Sequence, residues 1–166
     1  MTFMNIKEII IAIFIFMPII TLIHEIGHAC ISKLFGCKIK KIVIGKGKTI
    51  VRLGFLEIRK IYFFAGRYEA YNGAKTRTGR VMVHIGGVLF NLFSILIVIV
   101  LISNEIFRSH RLLIVFINMS IYVIIACIIP ITYLDGSNSD GKQIYHTIKY
   151  GESVFRKRKE KNESFK

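Results

Sequence analysis

The sequence predicts a membrane α-helical fold: three core transmembrane helices, with a small β-strand element between the first and the second. Three observations carry this. Residues 9–32 (broken only by Glu25), 81–103 and 112–131 contain no Asp, Glu, Lys or Arg, and each has about the 20 residues a helix needs to cross a bilayer core. The chain of 166 residues is 53% hydrophobic yet carries a formal net charge of +14, so apolar and charged residues are segregated along it. Between the first two runs the composition turns to Ile, Val, Phe and Lys in short alternations, the pattern of strands.

The first run is read as a retained helix and not as a signal peptide. It is too long for a signal's apolar region, Lys7 alone precedes it, and Glu8 cancels that charge. A lipoprotein cleavage box is excluded too, because Gly27 stands three residues before Cys30 where a larger apolar residue belongs. Pro18 removes one backbone hydrogen bond from this helix, either as a tolerated membrane proline or as a functional kink. The stretch "CKIKKIVIGKGKTIVRLGFLEIRKIYFF" reads as two or three short strands joined by tight turns at Gly45, Gly47 and Gly54. Its "GKGKT" is no phosphate loop, since Ile42 occupies the place of the required first glycine. Residues 68–80 are polar and without period, so a loop is expected there. After the third run, Ser139 is placed to cap a new helix that starts at Asp140 and runs through Ile144 and Ile148. The expected organisation is one integral-membrane domain over 1–150 and a basic cytoplasmic tail over 151–166.

Charge fixes the orientation. Residues 37–80 hold twelve Lys and Arg against Glu57 and Glu69, and residues from 141 onward hold eight against three Glu. The link 104–111 holds only Arg108 and Arg111 against Glu105. The positive-inside rule therefore puts the long basic loop and the C-terminus in the cytoplasm and the link outside. Three crossings then leave the N-terminus outside, in agreement with its near-neutral charge. The same basic surface is explained by anionic headgroups of the lipid bilayer, and no nucleic-acid motif accompanies it, so no nucleic acid is expected as a partner. Cys30, Cys37 and Cys127 form no CxxC pair and imply neither a disulfide framework nor a thiolate zinc site.

The chemistry lies in "TLIHEIGHAC", residues 21–30. Two histidines and a glutamate inside a lipid-crossing helix are costly and point to a functional site. His24-Glu25-Ile26-Gly27-His28 is HExxH: residues four apart share a helix face, so both imidazoles reach one metal ion. Glu25 is not a ligand at that spacing; it stands where a carboxylate can take the proton of a metal-bound water, whose pKa zinc lowers to about 7. A catalytic zinc takes three protein ligands and keeps one position open. For the third ligand the residues leave His84, His110, His146, Asp135 and Asp140 as candidates. Asp140 is favoured over its rival Asp135, because a ligand in the first turn of a capped helix is held more firmly than one in a glycine-flanked turn. In the second run His84, Gly87, Asn91 and Ser94 recur at spacings of 3, 4 and 3, a small and polar stripe suited both to helix packing and to substrate handling.

With these residues in place, the sequence resembles the site-2 protease family of intramembrane zinc metalloproteases, as a compact member with a three-helix core. HExxH lies in the first core helix, "GGVLFN" at 86–91 resembles the family's Gly-Pro-x-x-x-Asn element in the second, and an Asp-Gly-x-x-Ile segment at 140–144 follows the third. The order of elements agrees over about residues 8–150. Val88 stands where a proline is common, and Cys127 where an asparagine often precedes the segment seen here as Ile128-Ile129-Pro130; neither departure removes a ligand. The resemblance implies an intramembrane endopeptidase with Zn2+ as cofactor, acting in regulated intramembrane proteolysis or peptide processing in a bacterial cell membrane. It implies His24, His28 and Asp140 as metal ligands, Glu25 as the catalytic base, and Asn91 as a residue holding a substrate carbonyl or the oxyanion. Its substrates would be transmembrane or membrane-associated peptides and proteins, unwound and paired with a strand edge from residues 38–64. The alternative is a non-catalytic membrane zinc-binding protein, or an immunity or interaction factor, with the same histidine pair and no need of Glu25 as a base.

Overall fold

The structure, a computed structural model, describes residues 5–106 and 110–151. The first apolar run forms one unbroken helical span, Ile6–Leu34. It consists of α1 (Ile6–Ile11), a π-helical turn (Ala12–Phe16) and α2 (Met17–Leu34). In an α-helix the ring of Pro18 would press on the carbonyl four residues back. The wider turn ends just before it, with the Met17 N–H donating to the Ala12 carbonyl, and absorbs the misfit as a π-bulge. Asn5 starts the span through a capping box, its Oδ1 accepting the Glu8 N–H at 2.9 Å while Glu8 accepts the Asn5 N–H at 2.9 Å. Glu8 is buried and ion-paired with Arg111, which sets the start of the first span beside the start of the third.

The segment after α2 corrects the expectation of two or three short strands. It forms two strands of 15 residues, β1 (Ile39–Leu53) and β2 (Leu56–Ala70), in one antiparallel sheet. Gly45 and Gly47 do not end a strand. They take φ of +90° and +88° at shifts of register, and a Cβ on Gly45 would stand 2.6 Å from the Ile61 carbonyl oxygen; they are bulges that bend the hairpin. The bend lets β1 pair twice: Ile42, Val43 and Ile44 have partners in Tyr68, Arg67 and Gly66 and also in Leu56, Glu57 and Ile58. With both edges covered, these three are among the most buried apolar residues, and Ile42 and Ile44 form a core with Ala29 of α2. Buried Glu57 gathers basic side chains of the hairpin around it. Hydrogen bonds from Lys41, Thr49 and Arg59 hold its carboxyl down at about 2.

The expected loop 68–80 is shorter than its polarity implied. Tyr68 to Ala70 continue β2, and α3 (Arg77–Ser103) begins at a Thr76 cap that accepts the Gly79 N–H at 3.0 Å. The third run forms α4 (His110–Ile128), which ends before Pro130. After it comes α5 (Asp140–Tyr150), capped by Ser139, whose Oγ accepts the Lys142 N–H at 3.2 Å. Beyond Gly151 the basic tail lies outside the described residues, as do 107–109 of the link.

The three spans are long and apolar enough to cross a membrane, and their burial is the reverse of a water-soluble bundle. Leu92, Phe93 and Leu96 on α3 and Ile121, Tyr122 and Ile125 on α4 are exposed, while His24, Glu25, His28, Asn91, Ser120 and Gln143 are buried. At the end opposite Glu8 the hairpin, the start of α3 and α5 are tied together. Lys46 of β1 pairs with Asp135 at 2.7 Å, Arg77 Nε donates to the Thr147 carbonyl at 3.1 Å, and Arg80 donates to the Gly151 carbonyl. Within the span region α2 and α3 meet backbone to backbone, since a Cβ on Gly27 would stand 2.3 Å from the Gly86 carbonyl oxygen.

Candidate metal centre

His24 and His28 lie one turn apart on α2, on the face turned toward α3 and α5. Their ring nitrogens converge with a carboxylate oxygen of α5. His24 Nε2 is 3.0 Å from Asp140 Oδ2, His28 Nε2 is 3.1 Å from His24 Nε2, and His28 Nε2 is 3.4 Å from Asp140 Oδ2. All three residues are buried or nearly so. The His28 Nδ1–H donates to the Val83 carbonyl at 2.6 Å; a carbonyl only accepts, so this bond leaves His28 Nε2 as a lone pair facing the other two donors. Electron-rich atoms are thus brought together where a cation satisfies them. Tetrahedral zinc with bonds of 2.0–2.1 Å sets its ligand atoms roughly 3.3 Å apart, and the triangle of 3.0, 3.1 and 3.4 Å fits that spacing.

The structure brings Asp140, and not Asp135, to the histidines. Asp135 is exposed; it receives Lys46 at 2.7 Å and the Ser137 N–H at 3.0 Å, which lower its pKa. His84 is beside the site, its Nδ1 3.2 Å from Asp140 Oδ1. His146 takes Tyr145 and Tyr150 as ring neighbours, and the His110 side chain lies outside the described residues. Asn91 is fully buried, with Nδ2 3.3 Å from His24 Nδ1 and Oδ1 without a partner among the described residues. Gly87 completes the stripe: a Cβ there would stand 2.5 Å from His24 Cε1. The stripe on α3 therefore serves the site and the helix contact together.

Glu25 points to the hairpin. A Cβ on Gly66 would stand 3.0 Å from its Oε1, and the neighbouring Ala65 adopts φ +63°. A non-glycine residue in that left-handed region is uncommon, and such strain gathers at functional sites. The strand edge beside Glu25 is thus residues 66–68, beyond the 38–64 segment that the sequence offered. Cys127 was not foreseen either. Its Sγ lies with donor atoms of His24 and Asp140, all within 4.8 Å of one another. Its position three residues before Pro130 was visible, but nothing in the sequence marked the thiol as a neighbour of the HExxH pair.

These features define a multi-pass membrane protein with a buried histidine–carboxylate centre at the junction of two spans and a short helix. The comparison with known proteins agrees. The family described as Peptidase family M50 matches residues 11–109, more than half of the chain, and the chain belongs to that family. The uncharacterized membrane protein YwmF of Bacillus subtilis (strain 168) is 32% identical over 140 residues, which span 83% of this chain and 87% of that protein.

Proposed function

We propose that the chain is an intramembrane zinc endopeptidase that cuts transmembrane or membrane-associated peptides and proteins. The observation that carries this reading is the convergence of His24, His28 and Asp140 on one point, with Glu25, the next residue of α2, buried against the hairpin. His24 Nε2, His28 Nε2 and Asp140 Oδ2 would hold the metal. Bound zinc supplies Lewis acidity toward a carbonyl and lowers the pKa of water to about 7.

The protein's own groups do the rest. Glu25 takes the proton of the attacking water at its carboxylate and returns it to the leaving amine. His84 orients Asp140 by bonding its second oxygen. A substrate helix hides its carbonyls in its own hydrogen bonds and has to unwind before it is cut; the backbone edge at 66–68 offers an extended segment a strand to pair with. An apolar recess of about 140 Å³ between α2 and the hairpin, lined by Pro18, Leu22, Ile44, Ile58 and Tyr62, suits a substrate side chain. The basic hairpin loop and the C-terminus face the cytoplasm of a bacterial cell, and the site lies in the cytoplasmic half of the first span.

Glu25→Gln tests this. Glutamine keeps the volume and loses the base, so cleavage should fall by roughly 10²- to 10⁴-fold while metal content stays near one zinc per chain. Membrane proteomics of wild type against Glu25→Gln should show a transmembrane fragment that disappears in the variant. Retention of every effect of the wild type in Glu25→Gln, with zinc bound, would establish the non-catalytic zinc-binding or immunity reading instead.

A further inference from the structure

We propose that Asn91 is a positioning residue that fixes the tautomer and ring plane of His24, so that α3 orients all three groups of the candidate metal centre. The inference rests on the zinc reading above.

For His24 Nε2 to serve as a donor toward a cation, the imidazole proton has to sit on Nδ1. His24 is buried, so that N–H needs an acceptor inside the protein. The polar contact the structure gives Nδ1 is the Asn91 carboxamide, at 3.3 Å. With the NH2 end turned to the ring, an amide donor would face an N–H, and the amide oxygen would stay buried without a partner. A half-turn of the carboxamide exchanges two atoms of nearly equal size and puts Oδ1 where it accepts the His24 Nδ1–H. The amide nitrogen then becomes the end without a partner among the described residues, a donor available to a carbonyl.

The neighbourhood of Asn91 fits this role. Its carboxamide is fully enclosed, and Gly87, one turn earlier on α3, lies flat against the His24 ring. Together they fix the ring's plane and its polar edge. The Val83 carbonyl does the same for His28 at 2.6 Å, and His84 for Asp140 at 3.2 Å. Val83, His84, Gly87 and Asn91 all belong to α3, which supplies none of the three groups that converge on the candidate metal centre. Hydrogen-bonded partners of this kind are known to set the orientation and basicity of metal-ligating histidines.

The test uses the full chain in nanodiscs, labelled with 15N at histidine. NMR of the metal-free protein should find the His24 proton on Nδ1 in wild type and in Asn91→Asp, which keeps an acceptor, and a shift toward Nε2 in Asn91→Ala. Zinc affinity, measured by chelator competition, should weaken by roughly 10- to 100-fold in Asn91→Ala and stay near wild type in Asn91→Asp. A wild-type His24 protonated on Nε2 would overturn the proposal, and so would an Asn91→Ala that binds zinc as wild type does. If Asn91→Ala does not fold, the wild-type tautomer and Asn91→Asp still decide. Failure of wild type to bind zinc, with the proton on Nδ1, would remove the protease reading and leave the His24–Asn91 bond standing.

Discussion

Gly87→Ala is the sharpest test of how tightly the site is built. The new methyl would stand 2.5 Å from His24 Cε1 and 2.6 Å from Nε2, where ordinary contact begins at 3.4 Å. The ring or the helix therefore has to move by about 1 Å. The helices have no room to separate, because Gly27 and Gly86 already touch through their backbones, and the ring is held between Asp140 and Asn91. Overpacking of this kind costs about 1–3 kcal/mol, which is roughly a ten- to hundredfold loss of zinc affinity if it falls on the bound geometry. Metal–ligand distances tolerate only about 0.2 Å, so the displacement falls there. The assay is zinc competition against a chelator for Gly87→Ala and for Gly73→Ala, a control whose methyl would meet nothing within 4 Å. Equal affinities in the two variants, both folded, would refute the placement of His24 against α3.

Gly66→Ala should separate base from metal: its methyl meets Thr21 Cγ2 at 2.5 Å and Glu25 Oε1 at 3.0 Å, so cleavage is expected to fall while zinc content, measured by mass spectrometry, stays unchanged. Asp140→Ala should lose its zinc and Asp135→Ala should keep it; the reverse result would move the third ligand to the 135 loop. Cysteine labelling in a background without native cysteines should reach Ile106→Cys from outside intact cells and Leu53→Cys only after permeabilisation, and the opposite pattern would invert the orientation.

How much the sequence revealed depends on how local the cause was. The three spans follow from run length and the Ser139 cap from residue order, so both were legible. The histidine pair was legible because four residues on a helix make one face. The hairpin's length was not: Gly45 and Gly47 look like strand ends, and only the double pairing of residues 42–44 turns them into bulges. Asp135 and Asp140 each precede a glycine. What holds Asp135 away from the histidines in this structure is Lys46, 89 positions away in the chain, and no local pattern announces that pair. Asn91 stood out in its stripe and in the family resemblance, but its contact with His24 depends on α2 and α3 meeting at Gly27 and Gly86, a close approach that spacing alone does not register.

The π turn before Pro18 leaves a spare residue in the first span. Deleting that residue would rewind the span to uniform α-helix with its two ends still in phase, because the wide turn already takes up the roughly 100° that one extra residue adds. Glu8 would keep its side toward Arg111 and His24, Glu25 and His28 their places, and the cost would fall on Pro18, whose ring would again press on the carbonyl four residues back. The wide turn thus works as an expansion joint: it keeps the outer lock and the chemistry in phase across a proline that a uniform helix would have to strain around.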